Sequence, residues 1–136
     1  MNNKLRKLLD VPEGTAGEII DGELVTTPVL EWKRHLAAGM RDILLAPYSS
    51  KKPGDPGGWR FLLEPKLDLG DSILVPNLAG WKEDRLPAER EVDLIDVVPD
   101  WTCDIISVDT AMLVMNSKLP IYARHGLLHV WVFSYR

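Results

Sequence analysis

The chain has a single cysteine, so no internal disulfide can form, and Cys103 lies inside an apolar run where it reads as a small core residue in a reducing compartment. No apolar stretch approaches the ~18 residues that a membrane-crossing helix requires. The start Met1-Asn2-Asn3-Lys4 lacks the apolar centre of a secretory signal. The expectation is a soluble cytoplasmic protein without a membrane partner. Positive charge is not in excess either: 16 Lys and Arg against 20 Asp and Glu leave a formal charge of -4. Any nucleic-acid contact would therefore depend on a local basic patch rather than on a positive surface.

What is present suits one folded unit. A length of 136 residues, 46% apolar and 26% charged, predicts a single domain over residues 1–136 with a real core. Lys4 to Asp10 has leucines at helical spacing and predicts a short amphipathic docking helix. In Glu18 to Thr26, Asp21-Gly22 stands between two apolar pairs and predicts a tight hairpin ended by Pro28. Leu30 to Leu45 predicts a helix with Leu36, Met40, Ile43 and Leu44 on its apolar face, stopped by Pro47. Ser49 to Trp59, crowded with Gly and Pro, predicts an exposed loop whose Lys51 and Lys52 are either solvated charges or contacts for a phosphate backbone.

Arg60 to Leu69 alternates and predicts one strand, with Pro65 suggesting an edge or a bulge, paired through Gly70-Asp71 with the apolar run Ser72 to Val75. Glu64 would then lie near the end of that second strand. Trp81 to Glu91, with Pro87, reads as a polar connector. Trp59, Trp81 and Trp101 read as caps of the core. Trp101 to Ser107 predicts a central strand that carries Asp104 among apolar neighbours. A carboxylate buried there needs a cation or hydrogen-bond donors. Ser117 predicts the cap of a helix to Arg124, with Gly126 at its exit and a last strand over Leu128 to Phe133.

Several spaced motifs agree in order with one family. Leu63-Glu64-Pro65, Val75-Pro76-Asn77-Leu78, Pro99-Asp100-Trp101-Thr102-Cys103-Asp104-Ile105-Ile106-Ser107 and Lys118-Leu119-Pro120-Ile121-Tyr122 resemble the Uma-two-type restriction endonucleases of the PD-(D/E)XK superfamily, from about Gly22 onward. The resemblance implies an α+β fold with an α/β-type core: a restriction-endonuclease-like mixed β-sheet flanked by helices, entered by the N-terminal β-hairpin. It also implies a Mg²⁺ or Mn²⁺ phosphodiesterase centre acting on DNA. On this resemblance Glu64, Asn77 and Asp104 are the metal ligands, Lys118 is the catalytic lysine with Asp104 and Glu64 beside it, and His35 sits near the position of a histidine often found opening the first helix. Arg34, His35, Lys51 and Lys52 are the candidate contacts to nucleic acid or phosphate.

The chain departs from that pattern at named places. Asn77 stands where the family has an aspartate, Asp104 is one methylene shorter than the usual glutamate, and Val114 replaces a common aspartate. The strands that usually follow the one matching Val130-Trp131-Val132 are expected to be absent. A neutral amide beside a divalent ion forfeits a full charge, so metal affinity should fall by orders of magnitude. Two functions are therefore expected in competition: an endonuclease-like hydrolase with weak or lost cleavage, and a non-catalytic module of the same fold that acts in homodimerisation or partner binding.

Overall fold

Asp21-Gly22 folds the chain back on itself as the sequence predicts, with φ of 49° and 87°, values that glycine adopts freely and aspartate tolerates. A computed structural model of the chain describes residues 3–86 and 94–134. There the turn joins β1 (Thr15–Ile20) to β2 (Glu23–Pro28) in a continuous antiparallel hairpin. The preceding helix α1 (Asn3–Lys7) is tied to the sheet by its basic residues. Lys4 reaches Asp68 and the Gly70 carbonyl, and Lys7 reaches the Gly22 carbonyl.

The alternating run 60–69 is two strands, not one. β3 (Trp59–Leu63) ends at Glu64, whose φ of 48° lies in the left-handed region, and Pro65 follows with no N–H to continue a ladder. The chain there passes from one sheet to another. β4 (Leu67–Leu69) and β5 (Ser72–Leu74) complete a sheet of order β2-β1-β5-β4. β3 joins β6 (Leu78–Lys82), β7 (Trp101–Ile106) and β8 (His129–Ser134) in a second sheet of order β3-β6-β7-β8. Among the described strands β7 and β8 are the pair that runs parallel, so this sheet is the mixed one. Glu64 still meets the end of the next strand, because its N–H donates to the Asn77 carbonyl at 3.2 Å.

The connector predicted from Trp81 is corrected in its first part. Trp81 and Lys82 end β6, and the Trp81 ring is wholly buried with its indole N–H donated to the Val97 carbonyl at 2.9 Å. Residues 87–91 of that segment lie outside the described residues. The ring packs with Leu67, Leu74, Ile121 and Tyr122 in one core cluster, while Ala37, Met40, Leu78, Trp101, Cys103 and Ile105 form a second. Each large apolar side chain buried in this way contributes about 1.5–3 kcal/mol.

Both long helical segments contain a widened turn, and each stands just before a proline. α2 (Glu31–Gly39) opens into a π turn at Met40–Leu44 and gives way to α3 (Ala46–Ser49), which holds Pro47 in its first turn. α4 (Ala111–Leu113) passes through a π turn at Val114–Lys118 into α5 (Leu119–Arg124), which holds Pro120. Proline lacks an N–H and its ring crowds the carbonyl four residues back, and the wider turn relieves both. Two expectations change as a result. Ile43 and Leu44, expected on the core face, are 75% and 65% exposed. The final helix starts at Ala111 rather than Ser117, which places Lys118 inside it.

Candidate active-site pocket

The carboxylate on the central strand is buried with its charge matched. Asp104 is 2% exposed on β7, and its Oδ1 accepts a bond from Lys118 Nζ at 2.8 Å while Oδ2 accepts from the Tyr122 hydroxyl at 3.3 Å. Lys118, 3% exposed, reaches it from the π turn before Pro120. The same ammonium lies 2.8 Å from Glu18 Oε2 and 3.4 Å from the Val75 carbonyl oxygen. Glu18 Oε2 also accepts the Val75 N–H at 2.8 Å. One lysine thus holds two buried carboxylates together, and each has a second donor, the condition under which buried charge is tolerated.

Burial alone would lower the Lys118 pKa, but Asp104 and then Glu18 outweigh it and hold the ammonium above the ordinary lysine value. The Tyr122 phenol is pushed well up by burial and by Asp104, so it acts as a donor. Cys103, next to Asp104 on β7, is pushed up to about 12 by burial and by that carboxylate, which leaves an inert thiol.

Above this triad lies a pocket of about 100 Å³ lined by Glu18, Lys33, Arg34, Glu64, Asn77, Asp104, Thr110 and Lys118, among others. The four residues at 64, 77, 104 and 118 therefore share one cavity, but their polar atoms are differently engaged. Asn77 Oδ1 accepts the Ile105 N–H at 2.8 Å. Glu64 Oε1 pairs with Arg34 Nε at 3.0 Å nearer the surface. His35 is exposed and does not line the pocket, Lys52 is exposed, and Lys51 pairs with Glu83 at 3.4 Å beside a separate surface depression.

Two members went unread in the sequence. Glu18 belongs to β1, where it precedes Ile19 and Ile20, and a carboxylate beside two buried apolar residues is the same signal that singled out Asp104. Lys33 lies on α2 and is not among the residues that the sequence places on the apolar face of that helix. It is 9% exposed and donates to Thr110 Oγ1 at 3.1 Å.

The donor set does not complete a divalent-metal centre. The position between the two buried carboxylates is held by the Lys118 ammonium, Asn77 adds no charge, and Glu64 is turned to Arg34. Among the described residues no group of three His, Cys, Asp or Glu could hold a metal ion. What this arrangement offers is a recessed pocket with fixed ammonium groups and amide polarity, the chemistry that receives an anionic oxygen. Among the described residues no helix is long and apolar enough to cross a membrane.

Comparison with known proteins agrees with this architecture. No curated protein matches the chain. Among solved structures it is similar to a "putative nuclease belonging to DUF820" from Anabaena variabilis, with 24% identity and a TM-score of 0.74 over 96% of this chain and 73% of that one, a likeness of fold. Residues 4–136 match the model of the Uma2 family, described as "Putative restriction endonuclease". The chain therefore belongs to the Uma2 family and has its restriction-endonuclease-like fold.

Proposed function

We propose that this chain is a nuclease-type domain whose pocket addresses the phosphodiester backbone of DNA, with hydrolysis weak or lost because Asn77 stands in place of a metal-binding carboxylate. The observation that carries the reading is Lys118 Nζ at 2.8 Å from both Asp104 and Glu18, at the base of a pocket that Asn77 and Glu64 also line. In this reading Lys118, kept protonated by Asp104 and Glu18, supplies positive potential at the base of the pocket where charge develops on the phosphorus oxygens. Glu64, through Arg34, shapes the mouth, and Arg34, His35, Lys51 and Lys52 are the outer contacts to the DNA backbone. The family implies Mg²⁺ or Mn²⁺. With Asn77 neutral and an ammonium between the remaining carboxylates, such an ion lacks its charge complement here.

The test is nicking of supercoiled plasmid with Mg²⁺ or Mn²⁺ by the wild type, Asn77→Asp and Asn77→Asp/Lys118→Ala. Wild-type nicking at or near background, a gain in Asn77→Asp and loss of that gain in the double variant are expected. Cleavage by Asn77→Asp that survives removal of Lys118 would take that residue out of the mechanism.

A second reading, a non-catalytic module that pairs with another copy, draws on β8. It is an edge strand of the mixed sheet, with Trp131 54% and Phe133 43% exposed, and unpaired strand edges invite pairing with another chain. Light scattering showing a monomer at high concentration would count against it.

A further inference from the structure

Two lysines enter the pocket, and they are not equivalent. Lys118 has each of its donor directions taken, by Asp104, Glu18 and the Val75 carbonyl. Lys33 is nine-tenths buried, yet its one hydrogen bond is to a neutral hydroxyl, Thr110 Oγ1 at 3.1 Å, and its ammonium lies 5.8 Å from the Trp32 ring centre. Among the described residues it has no carboxylate within salt-bridge distance. Thr110 is itself fixed, because its Oγ1 accepts the Ser107 N–H at 3.1 Å, so the lysine's anchor does not move.

A lysine in that position is costly to bury unless something negative is served by it. The carboxylates within its field are Asp104 and, more weakly, Asp109. Glu18 and Asp104 together carry one charge more than Lys118 cancels, and Lys33 supplies the second cation. A divalent ion entering the pocket would be repelled by the ammonium groups already lining it.

We propose that Lys33 is a phosphate-binding residue that takes the place of a divalent cation, so that the pocket receives a phosphodiester oxygen directly on an ammonium group and without metal. The proposal takes its ligand class from the function proposed above. It adds that binding is independent of metal and that Lys33, not Lys118, makes the contact. Lys33 has two donors left, Arg34 stands at the mouth with 45% of its side chain exposed, and a pocket of about 100 Å³ has room for a group of roughly three water volumes.

The experiment measures binding rather than cleavage, so that its failure and the failure of the catalytic reading are distinct. Anisotropy of a labelled DNA duplex is recorded in EDTA and in Mn²⁺, with inorganic phosphate as competitor to separate a free-phosphate site from a backbone site. Mn²⁺ binding is measured alone by calorimetry. The proteins are the wild type, Lys33→Met, Lys33→Gln, Lys33→Arg and, as a control outside the pocket and away from the proposed DNA contacts, Lys82→Ala at an exposed position. The wild type is expected to bind duplex equally in EDTA and Mn²⁺. Lys33→Met and Lys33→Gln are expected to bind it about tenfold more weakly, Lys33→Arg to retain it, and both neutral variants to bind Mn²⁺ more tightly than the wild type. Duplex affinity unchanged in whichever neutral variant keeps the wild-type circular dichroism, wild-type binding that requires Mn²⁺, or Mn²⁺ affinity that does not rise would overturn the proposal.

Discussion

Lys118 and Asp104 stand fourteen positions apart, one on a helix and one on the strand before it, and their charged atoms meet at 2.8 Å with only 3% of either side chain exposed. Glu18 closes the group from a third element, at the same distance from the ammonium. Hairpin, central strand and last helix are thereby joined at one point.

Replacing Lys118 with methionine removes the one cation in direct contact with both buried carboxylates. A loss of about 3–5 kcal/mol is expected, measured as a lower urea midpoint at unchanged slope. The pH dependence has a definite direction. The folded chain holds the Lys118 proton more tightly than the unfolded chain, whose lysine titrates near 10.5. The stabilisation is therefore whole below that pH and is lost as the pH rises from there toward the folded value. The gap between wild type and Lys118→Met should be flat at neutral pH and narrow above pH 10.5.

Gly80 lies on β6 between Phe61 on one neighbouring strand and Trp101 on the other, and these two rings meet edge to face at 5.8 Å across it. A Cβ at this position would lie 2.8 Å from the Phe61 ring and 3.3 Å from Trp101. Gly80→Ala should cost about 1–3 kcal/mol by overpacking, with a lower melting temperature as the measurement. A melting temperature equal to the wild type would show that the Phe61 ring moves aside freely.

Thr102 and Cys103 are both fully buried on β7. Thr102 Oγ1 is a buried oxygen with no hydrogen-bond partner among the described residues, so Thr102→Val should be neutral or raise stability by up to ~1 kcal/mol. Cys103, pushed up to about 12, should resist a thiol reagent at pH 8 in the folded protein and react at once in denaturant. Fast reaction in the native state would mean that β7 opens.

How much of this was legible in the sequence depended on whether the signal was local. Asp21-Gly22 predicted its hairpin because the turn's demand on φ is met by two adjacent residues, and Asp104 stood out because a charge among apolar strand residues needs a partner. Pro65 signalled an edge or a bulge, but the change of sheet there was hidden: β3 and β4 keep the same alternation, and their different partners, β6 and β5, separate them. Ile43 and Leu44 were misplaced for another reason. Regular 3.6-residue spacing assigns helix faces, and the π turns before Pro47 and Pro120 shift that register. Trp81 was taken into a connector by its charged neighbours, though the fold buries it completely.

The most direct measurement is diffraction from crystals of the wild type and of Asn77→Asp grown with Mn²⁺, read by the anomalous signal of the metal. The wild type should show Lys118 between Asp104 and Glu18 with no manganese there, and Asn77→Asp should show manganese bound by residues 77 and 104. Manganese seated between Asp104 and Glu18 of the wild type, with the Lys118 ammonium displaced, would contradict the charge arrangement on which both proposals depend.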